Sequence, residues 1–145
     1  MGIEIRQLQE GDIEELARIE AQAFSMPWSA KVFRDLLGNP YCFYFVALEG
    51  GRIVGGAGYT DLCGEANIDN VVVAEAYRGQ GIGQMLVREL IARGEAGRIK
   101  AFTLEVRVSN KTAIHIYEKA GFRCEGIRPG FYEKPREDAM IMWKK

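Results

Sequence analysis

Hydrophobic positions recur along the chain at two spacings, one strand-like and one helical. Ile3 to Gln7 alternate like a half-buried strand, with polar residues between apolar ones. Apolar residues then follow every three or four positions, which predicts a helix over about residues 13–24. The segment MPWS interrupts this pattern, and Ser29 is the predicted N-cap of a short second helix that ends near Gly38.

The pattern in the middle of the chain predicts strands separated by glycines. Two apolar runs flank Gly50-Gly51 and predict a hairpin, because adjacent glycines adopt the positive φ angles of tight hairpin turns. The segment ANIDNVVVA predicts another strand, and its run Val71–Val73 is apolar enough for burial on both faces. That strand leads directly into the glycine-rich loop RGQGIG, residues 78–83.

The second half alternates between helices and strands. A helix is predicted after the loop, with a stop at Gly94, and its apolar side comprises Ile82, Met85, Leu86, Leu90 and Ile91. AFTLEVRV predicts a strand that carries Thr103, Glu105 and Arg107 on its polar face. KTAIHIYEKAG predicts a helix closed by Gly121, and two strands follow, around residues 124–127 and 139–143.

The predicted order is β-α-α-β-β-β-α-β-α-β-β. This order indicates an α/β (α+β) fold in which a mixed sheet carries helices on both faces. The chain has no repeats, linkers or low-complexity tracts, so the sequence predicts one domain over residues 1–145.

Composition and charge exclude several classes of protein. Lys and Arg number 19 against 20 Asp and Glu, which predicts no general attraction to nucleic acid or to anionic membranes. The N-terminus lacks a signal-peptide pattern and no apolar run is long enough to span a membrane, so we expect a soluble, cytoplasmic protein. The cysteines, Cys42, Cys63 and Cys124, are odd in number and form no C-x-x-C motif. They predict neither disulfides nor a metal site, and we expect all three to be small buried hydrophobes.

The loop RGQGIG carries the main chemical signal. A dinucleotide fingerprint needs G-x-G-x-x-G after the first strand, and a Walker loop needs Gly-Lys-Ser/Thr, whereas this loop reads G-x-G-x-G after a late strand. A strand followed by Arg78, three glycines and a helix N-terminus instead predicts an anion site, because free N–H groups and the helix dipole favour negative charge. The alternative is a flexible turn with a solvated arginine.

RGQGIG resembles the R/Q-x-x-G-x-G/A loop of the GNAT superfamily of acyl-coenzyme A N-acyltransferases, and the order of elements resembles the GNAT order over the whole chain. The resemblance implies a mostly antiparallel, twisted sheet of about seven strands that splays at the acetyl-CoA site. It also implies acetyl-CoA as cosubstrate, no metal, and an oxyanion held by backbone N–H groups of the strand before the loop. The residues that would bind the cosubstrate are Val71, Val72, Val73, Arg78, Gly79, Gln80, Gly81, Ile82, Gly83, Gln84 and Asn110.

LEVRVSNKTAIHIYEKAGF, PWS and REDAMIM resemble the RimI-type N-terminal acetyltransferases, which acetylate the N-terminal alanine of a small-subunit ribosomal protein. The resemblance implies direct attack in a ternary complex, with Glu105 as the base, directly or through water, and Tyr117 as the acid. From spacing alone, Glu105 could equally be a solvated strand residue and Tyr117 a core aromatic. Asp69 is the reserve base, and the lone histidine, His115, has no predicted role. Asn110 is also a plausible helix N-cap.

The acceptor side departs from that pattern. Phe131-Tyr132 stands where RimI-like proteins usually carry paired tyrosines, EKPR is shorter than in the enterobacterial form, and SMPWS has an extra residue. A broader N-terminal or small-molecule amine acetyltransferase is therefore the alternative enzyme. The alternatives from other classes are a coenzyme A-binding sensor and a nucleotide-binding module.

Overall fold

The strands and helices follow the predicted order. A computed structural model describes residues 2–145, and within that range the chain forms seven strands and four α-helices. The strands are β1 (Ile3–Gln7), β2 (Cys42–Glu49), β3 (Arg52–Leu62), β4 (Glu65–Val73), β5 (Ala101–Arg107), β6 (Arg123–Tyr132) and β7 (Glu137–Lys144). The helices are α1 (Ile13–Ala23), α2 (Ala30–Leu37), α3 (Ile82–Ala96) and α4 (Lys111–Lys119).

All seven strands form one sheet in the order β1-β2-β3-β4-β5-β7-β6. Neighbouring strands are antiparallel except β4 and β5, which run parallel. That parallel ladder consists only of Glu65–Asn67 against Ala101–Thr103. Beyond it β4 runs on to Val73 and β5 to Arg107, and we call the gap between these two strand ends the fork.

Helices cover both faces of the sheet, so the predicted mixed α/β architecture is confirmed. One core cluster packs α3 and α4 against the sheet and includes Leu86, Leu104 and Tyr117. The other packs α1 and α2 against the opposite face and includes Leu16 and Phe33. No helix within residues 2–145 is long and apolar enough to cross a membrane.

Several local predictions are confirmed by the backbone. Gly50 and Gly51 have φ angles of 58° and 81° and join β2 to β3 in a hairpin. Ser29 is the N-cap of α2, and its side chain accepts a hydrogen bond from the N–H of Val32 at 3.4 Å. Gly121, with φ 103°, follows the end of α4.

The predicted stop of α3 at Gly94 is wrong. The helix continues to Ala96 and ends at Gly97, and Gly94 is buried within it. A Cβ on Gly94 would lie 2.7 Å from Cζ of Phe102, so the glycine permits close packing of α3 on β5. The helical face also differs from the prediction, because Met85 is 37% exposed rather than buried.

Three other predictions need correction. Helix α1 ends at Ala23, one residue before the predicted end, and Phe24 beyond it is exposed. Val71 and Val73 are only half-buried, and only Val72 between them is buried, because β4 has no β5 neighbour at this level. The cysteines are not all buried. Cys63 and Cys124 are exposed and Cys42 is half-buried, and all three are free.

Candidate active site

The loop between β4 and α3 adopts a conformation that requires two of its three glycines. Gly79 and Gly81 have φ angles of 79° and 84°, in the left-handed region that favours glycine. A Cβ on either would meet nothing within 4 Å, so these glycines serve the backbone conformation and leave open space in front of the loop. Gly83 instead serves packing, since its Cβ would lie 3.3 Å from Cδ1 of Ile116 on α4.

The N-terminus of α3 presents unpaired donors to the same space. Gly81 is the N-cap, and the first hydrogen bond of the helix runs from the N–H of Met85 to the carbonyl of Gly81 at 3.0 Å. The N–H groups of residues 82–84 therefore have no partner within the helix. Within residues 2–145, Nε2 of Gln84 is also buried without a hydrogen-bond acceptor. Donors without acceptors at a helix N-terminus form a site suited to an anionic ligand.

The fork exposes backbone groups of β4. Ala74 donates its N–H to the carbonyl of Val54 on β3 at 2.8 Å. Because alternate residues of an antiparallel strand direct their backbone groups to the same side, Val72 also faces β3, whereas Val71 and Val73 face the fork. Of the three valines, these two therefore offer N–H groups to a ligand that lies between the strands.

Arg78 joins the fork to the loop. Its Nε donates to the carbonyl oxygen of Val73 at 3.2 Å, and the side chain is otherwise exposed. The guanidinium is therefore held beside the fork rather than extended into solvent, at the point where the strand gives way to the glycine loop.

Glu105 and Tyr117 lie on opposite sides of β5. Leu104 and Val106 point into the core beneath α3 and α4, so Glu105 between them faces the other side of the sheet, where it is half-buried. Tyr117 on α4 lies in that core, and its ring packs edge-on against Phe122 at 5.9 Å between centroids. The fork begins beyond Thr103 and so lies beside the part of β5 that carries Glu105.

The tyrosine hydroxyls of the site are held in their protonated form. Burial raises the pKa of Tyr117 far above its usual value, and the neighbouring Tyr132 raises it further. Burial likewise raises the pKa of Tyr132 to about 12, and the charge of Glu105 adds to that shift. Tyr132 therefore lies within electrostatic range of both Glu105 and Tyr117.

Arg107 fixes the turn between β6 and β7. Its Nη1 donates to the carbonyl of Pro135 at 2.9 Å and to the carboxylate of Glu137 at 3.2 Å, and its Nη2 donates to the carbonyl of Glu133 at 2.9 Å. From the sequence, Arg107 is predicted on the polar face of its strand and has no predicted role. It lies two residues after Glu105, which places both side chains on the same face of the strand, and this spacing could have identified it.

The remaining candidates are placed as follows. Asn110 is the N-cap of α4, and its Oδ1 accepts the N–H of Ala113 at 3.2 Å. Asp69 accepts hydrogen bonds from Thr60 at 2.5 Å and from Asn67 at 2.6 Å, so both carboxylate oxygens have partners on β3 and β4. Burial raises the pKa of Asp69, and these two donors offset part of the rise. His115 is exposed on α4.

Sequence reasoning missed a buried carboxylate near the fork. Glu20 on α1 is 2% exposed and accepts hydrogen bonds from Asn70, the residue before Val71. The signal was its position on the apolar stripe of the helix, four residues after Leu16. Within residues 2–145, no cluster of three His, Cys, Asp or Glu side chains could hold a metal ion.

Comparison with known proteins identifies the fold and the family. Residues 13–122 match the model of the acetyltransferase (GNAT) family. A Bacillus subtilis protein described as a putative [ribosomal protein bS18]-alanine N-acetyltransferase is 36% identical over 140 residues, which are 96% of this chain and 93% of the relative. The Escherichia coli [ribosomal protein bS18]-alanine N-acetyltransferase is 35% identical over 140 residues, which cover 95% and 94% of the two chains.

Solved structures agree with the sequence matches. The crystal structure of the Escherichia coli ribosomal-protein-S18-alanine N-acetyltransferase superposes with a TM-score of 0.91 at 32% identity, covering 99% of this chain and 93% of that one. The chain belongs to the GNAT acetyltransferase family. It is therefore an acyltransferase that uses acetyl-CoA, as the glycine loop and the order of elements predicted.

Proposed function

We propose that this protein transfers the acetyl group of acetyl-CoA to the N-terminal α-amino group of a protein, and that its acceptor is the N-terminal alanine of a small-subunit ribosomal protein. The observation that carries the proposal is the fork, with an anion-binding loop at its end and with Glu105 and Tyr117 on its two sides. The named acceptor of the relatives supports the choice of substrate and a cytoplasmic location.

The residues present fit coenzyme A. The open space before Gly79 and Gly81 and the free N–H groups at the start of α3 suit a diphosphate. Arg78 supplies a positive charge beside that position. The fork-facing N–H group of Val73 would pair with the extended pantetheine arm as a neighbouring strand would. Asn110 would contact the same ligand from the start of α4.

Acetyl transfer requires a free amine, a stabilised oxyanion and a protonated leaving group. Glu105 accepts a proton from the acceptor ammonium on the open face of β5. The N–H of Val71 donates to the carbonyl oxygen of the thioester as negative charge develops there. Tyr117 donates its proton to the departing thiolate, and its hydroxyl carries that proton at neutral pH because burial raises its pKa. Direct attack of the amine needs no cysteine nucleophile.

The wall formed by the β6–β7 turn favours a peptide acceptor. Arg107 anchors the turn through the carbonyls of Glu133 and Pro135, and its guanidinium lies over the ring of Tyr132, whose pKa the charge of Glu105 raises. An acceptor chain that enters on the face of Glu105 would run along this turn. A small amine would leave most of that wall unused.

The test is acetylation of peptides that differ only in their first residue, followed by mass spectrometry to locate the acetyl group. We expect modification of the α-amine of an alanine peptide and none of the same peptide with a blocked N-terminus. Faster acetylation of a small polyamine than of any free N-terminus would contradict the proposal.

The catalytic roles are tested separately. Glu105→Gln and Tyr117→Phe should each lower kcat by about 10²–10⁴-fold, as is usual for loss of a general acid or base, with little change in acetyl-CoA affinity. Asp69→Asn serves as the matched carboxylate variant and should leave most of the turnover intact. Wild-type turnover in both active-site variants would remove these assignments.

A further inference from the structure

Glu20 is a buried carboxylate without a cationic partner. None of the salt bridges within residues 2–145 involves it, although it is 2% exposed. Its oxygens accept from Nδ2 of Asn70, at 3.0 Å each, and from the N–H of Trp28 at 3.3 Å. Burial raises its pKa, and the donors from Asn70 and Trp28 offset part of the rise. Burial of a carboxylate is costly, so its presence here calls for a role beyond filling space.

The contacts of Glu20 connect α1 with β4 and with the connection between α1 and α2. Trp28 belongs to that connection, and its ring packs edge-on against Phe33, which packs edge-on against Tyr44. Asn70 belongs to β4 and directly precedes Val71. Its Oδ1 accepts a hydrogen bond of 2.6 Å from the hydroxyl of Tyr44 on β2. The side chains of Glu20 and Tyr44 therefore hold Asn70 from both ends of its amide.

Asn70 lies where β4 departs from regular pairing. Gly58 pairs with Asn70 and Tyr59 pairs with Ile68, so Asp69 is an extra residue in β4. A bulge of this kind redirects the strand that contains it. Asn70 is the first residue after the bulge, at the level where β4 no longer pairs with β5. The orientation of its side chain therefore bears directly on where the N–H of Val71 points.

We propose that Glu20 is a positioning residue for acetyl transfer. Its carboxylate holds Asn70, so that the N–H of Val71 stays directed into the fork, and it also accepts the N–H of Trp28, which fixes the connection between α1 and α2. Glu20 acts through these neighbours and touches neither substrate. The inference rests on the proposed function, because it assumes that the fork receives the thioester.

The donor and acceptor pattern provides a sharp test. A carboxylate only accepts, whereas glutamine at position 20 would direct an NH₂ group toward the donors of Asn70 or Trp28. Glu20→Gln should therefore lower kcat by about 10–100-fold, the cost typical of a small misplacement of reacting groups. The Kd for acetyl-CoA, which depends mainly on the glycine loop, should change by less than about threefold. Asn70→Asp places two carboxylates together and should lower kcat similarly.

The double variant E20Q/N70D exchanges the two partners. The new amide donates to the new carboxylate and accepts from Trp28, while the carboxylate also accepts from Tyr44. Each donor again faces an acceptor, with the bond between positions 20 and 70 reversed. We expect its kcat to recover to within about fivefold of the wild type, a coupling that a double-mutant cycle measures. Tyr44→Phe removes only the hydroxyl and keeps the ring in the core, so it should fold and lower kcat by about three- to tenfold.

Asp12→Asn is the matched control. Asp12 is the other buried acidic residue in the described chain, at 7% exposure, and it pairs with Arg6 away from the fork. This variant should lose stability and retain kcat. If Glu20→Gln or, should it fail to fold, Tyr44→Phe keeps wild-type kcat, or if the folded double variant shows no recovery, the inference is wrong. If the wild-type protein acetylates no peptide, the proposed function is wrong instead. Peptide acetylation by the wild type is therefore measured before the variants.

Discussion

The guanidinium of Arg107 lies over the ring of Tyr132, with its central carbon 4.5 Å from the ring centroid. The same group donates hydrogen bonds to the carbonyl oxygens of Glu133 and Pro135. One side chain therefore holds both the turn between β6 and β7 and the ring of Tyr132, whose pKa the charge of Glu105 raises. Only a planar guanidinium can make these contacts together.

Arg107→Lys should raise the KM for the peptide acceptor by about 5–30-fold and leave the Kd for acetyl-CoA unchanged. Lysine keeps the charge and loses at least one hydrogen bond to the turn, each of which contributes about 1–2 kcal/mol. Steady-state kinetics with the alanine peptide measure the change. Arg128→Lys is the control, because Arg128 also lies over an aromatic ring, that of Phe131 at 5.0 Å, on the exposed edge strand. Equal effects of the two substitutions would contradict the prediction.

Gly81→Ala should weaken acetyl-CoA binding about tenfold. The φ of 84° at position 81 is strained for alanine, by about 1–2 kcal/mol, so the loop would shift the N–H groups that face the ligand. Isothermal titration measures the Kd. Gly64→Ala is the matched control, since Gly64 has φ 93° and open space for a Cβ, at the opposite end of β4. It should lose similar stability without a change in Kd, and a Kd for Gly81→Ala equal to the wild type would count against the loop.

Tyr117 should remain protonated through the range in which an ordinary tyrosine ionises. Burial raises its pKa, so its proton remains available to the thiolate at alkaline pH, and kcat should show no loss of an acid up to about pH 10. Ultraviolet absorbance of tyrosinate provides the direct measurement. Wild type and Tyr117→Phe should give the same tyrosinate signal at about pH 10.5. A smaller signal in the variant at that pH would show that Tyr117 ionises normally.

Asp12 should stabilise the fold in a pH-dependent way. Burial opposes its ionisation, but hydrogen bonds from Arg6, at 2.7 and 3.1 Å, and from the N–H of Gln9, at 2.8 Å, outweigh this effect and lower its pKa. A lowered pKa in the folded state adds stability above the unfolded value of about 4, and this stability is lost as pH falls through the folded value.

Asp12→Asn should therefore cost about 2 kcal/mol of unfolding free energy at neutral pH, and the difference from wild type should shrink as pH falls below about 4. Urea unfolding at a series of pH values measures it. Glu15→Gln removes an exposed pair with Arg18 and should cost much less. A difference for Asp12→Asn that stays constant down to about pH 2 would exclude the ion pair as its source.

The sequence predicted those features that depend on neighbours along the chain. The Gly50-Gly51 hairpin, the N-cap at Ser29 and the end of α4 before Gly121 follow from local conformational preference, and all are confirmed. The order of elements and the glycine loop were sufficient to indicate the family. Both depend on local pattern, which the sequence records directly.

The features that the sequence did not predict depend on residues distant in the chain. Gly94 resembles a helix stop until the ring of Phe102 is seen against it on β5. Val71 and Val73 look like interior residues, and only the end of the β4–β5 ladder leaves them half-buried. Glu20 accepts hydrogen bonds from Asn70, which lies fifty positions away in the chain. The periodicity of the sequence predicts which face of an element a residue occupies, but it does not predict which residues of other elements pack against that face.

The short ladder between β4 and β5 also has a mechanical consequence. Three residue pairs join the half of the sheet that contains β1 to β4 with the half that contains β5 to β7. This ladder is the shortest in the sheet, so the backbone hydrogen bonds between strands hold the two halves together least at this point. A ligand that is hydrogen-bonded to the amides of Val71 and Val73 would connect the two halves of the sheet. Its binding should therefore slow hydrogen exchange at these two amides and also at backbone amides in both halves. The sheet would then be most rigid while the ligand is bound.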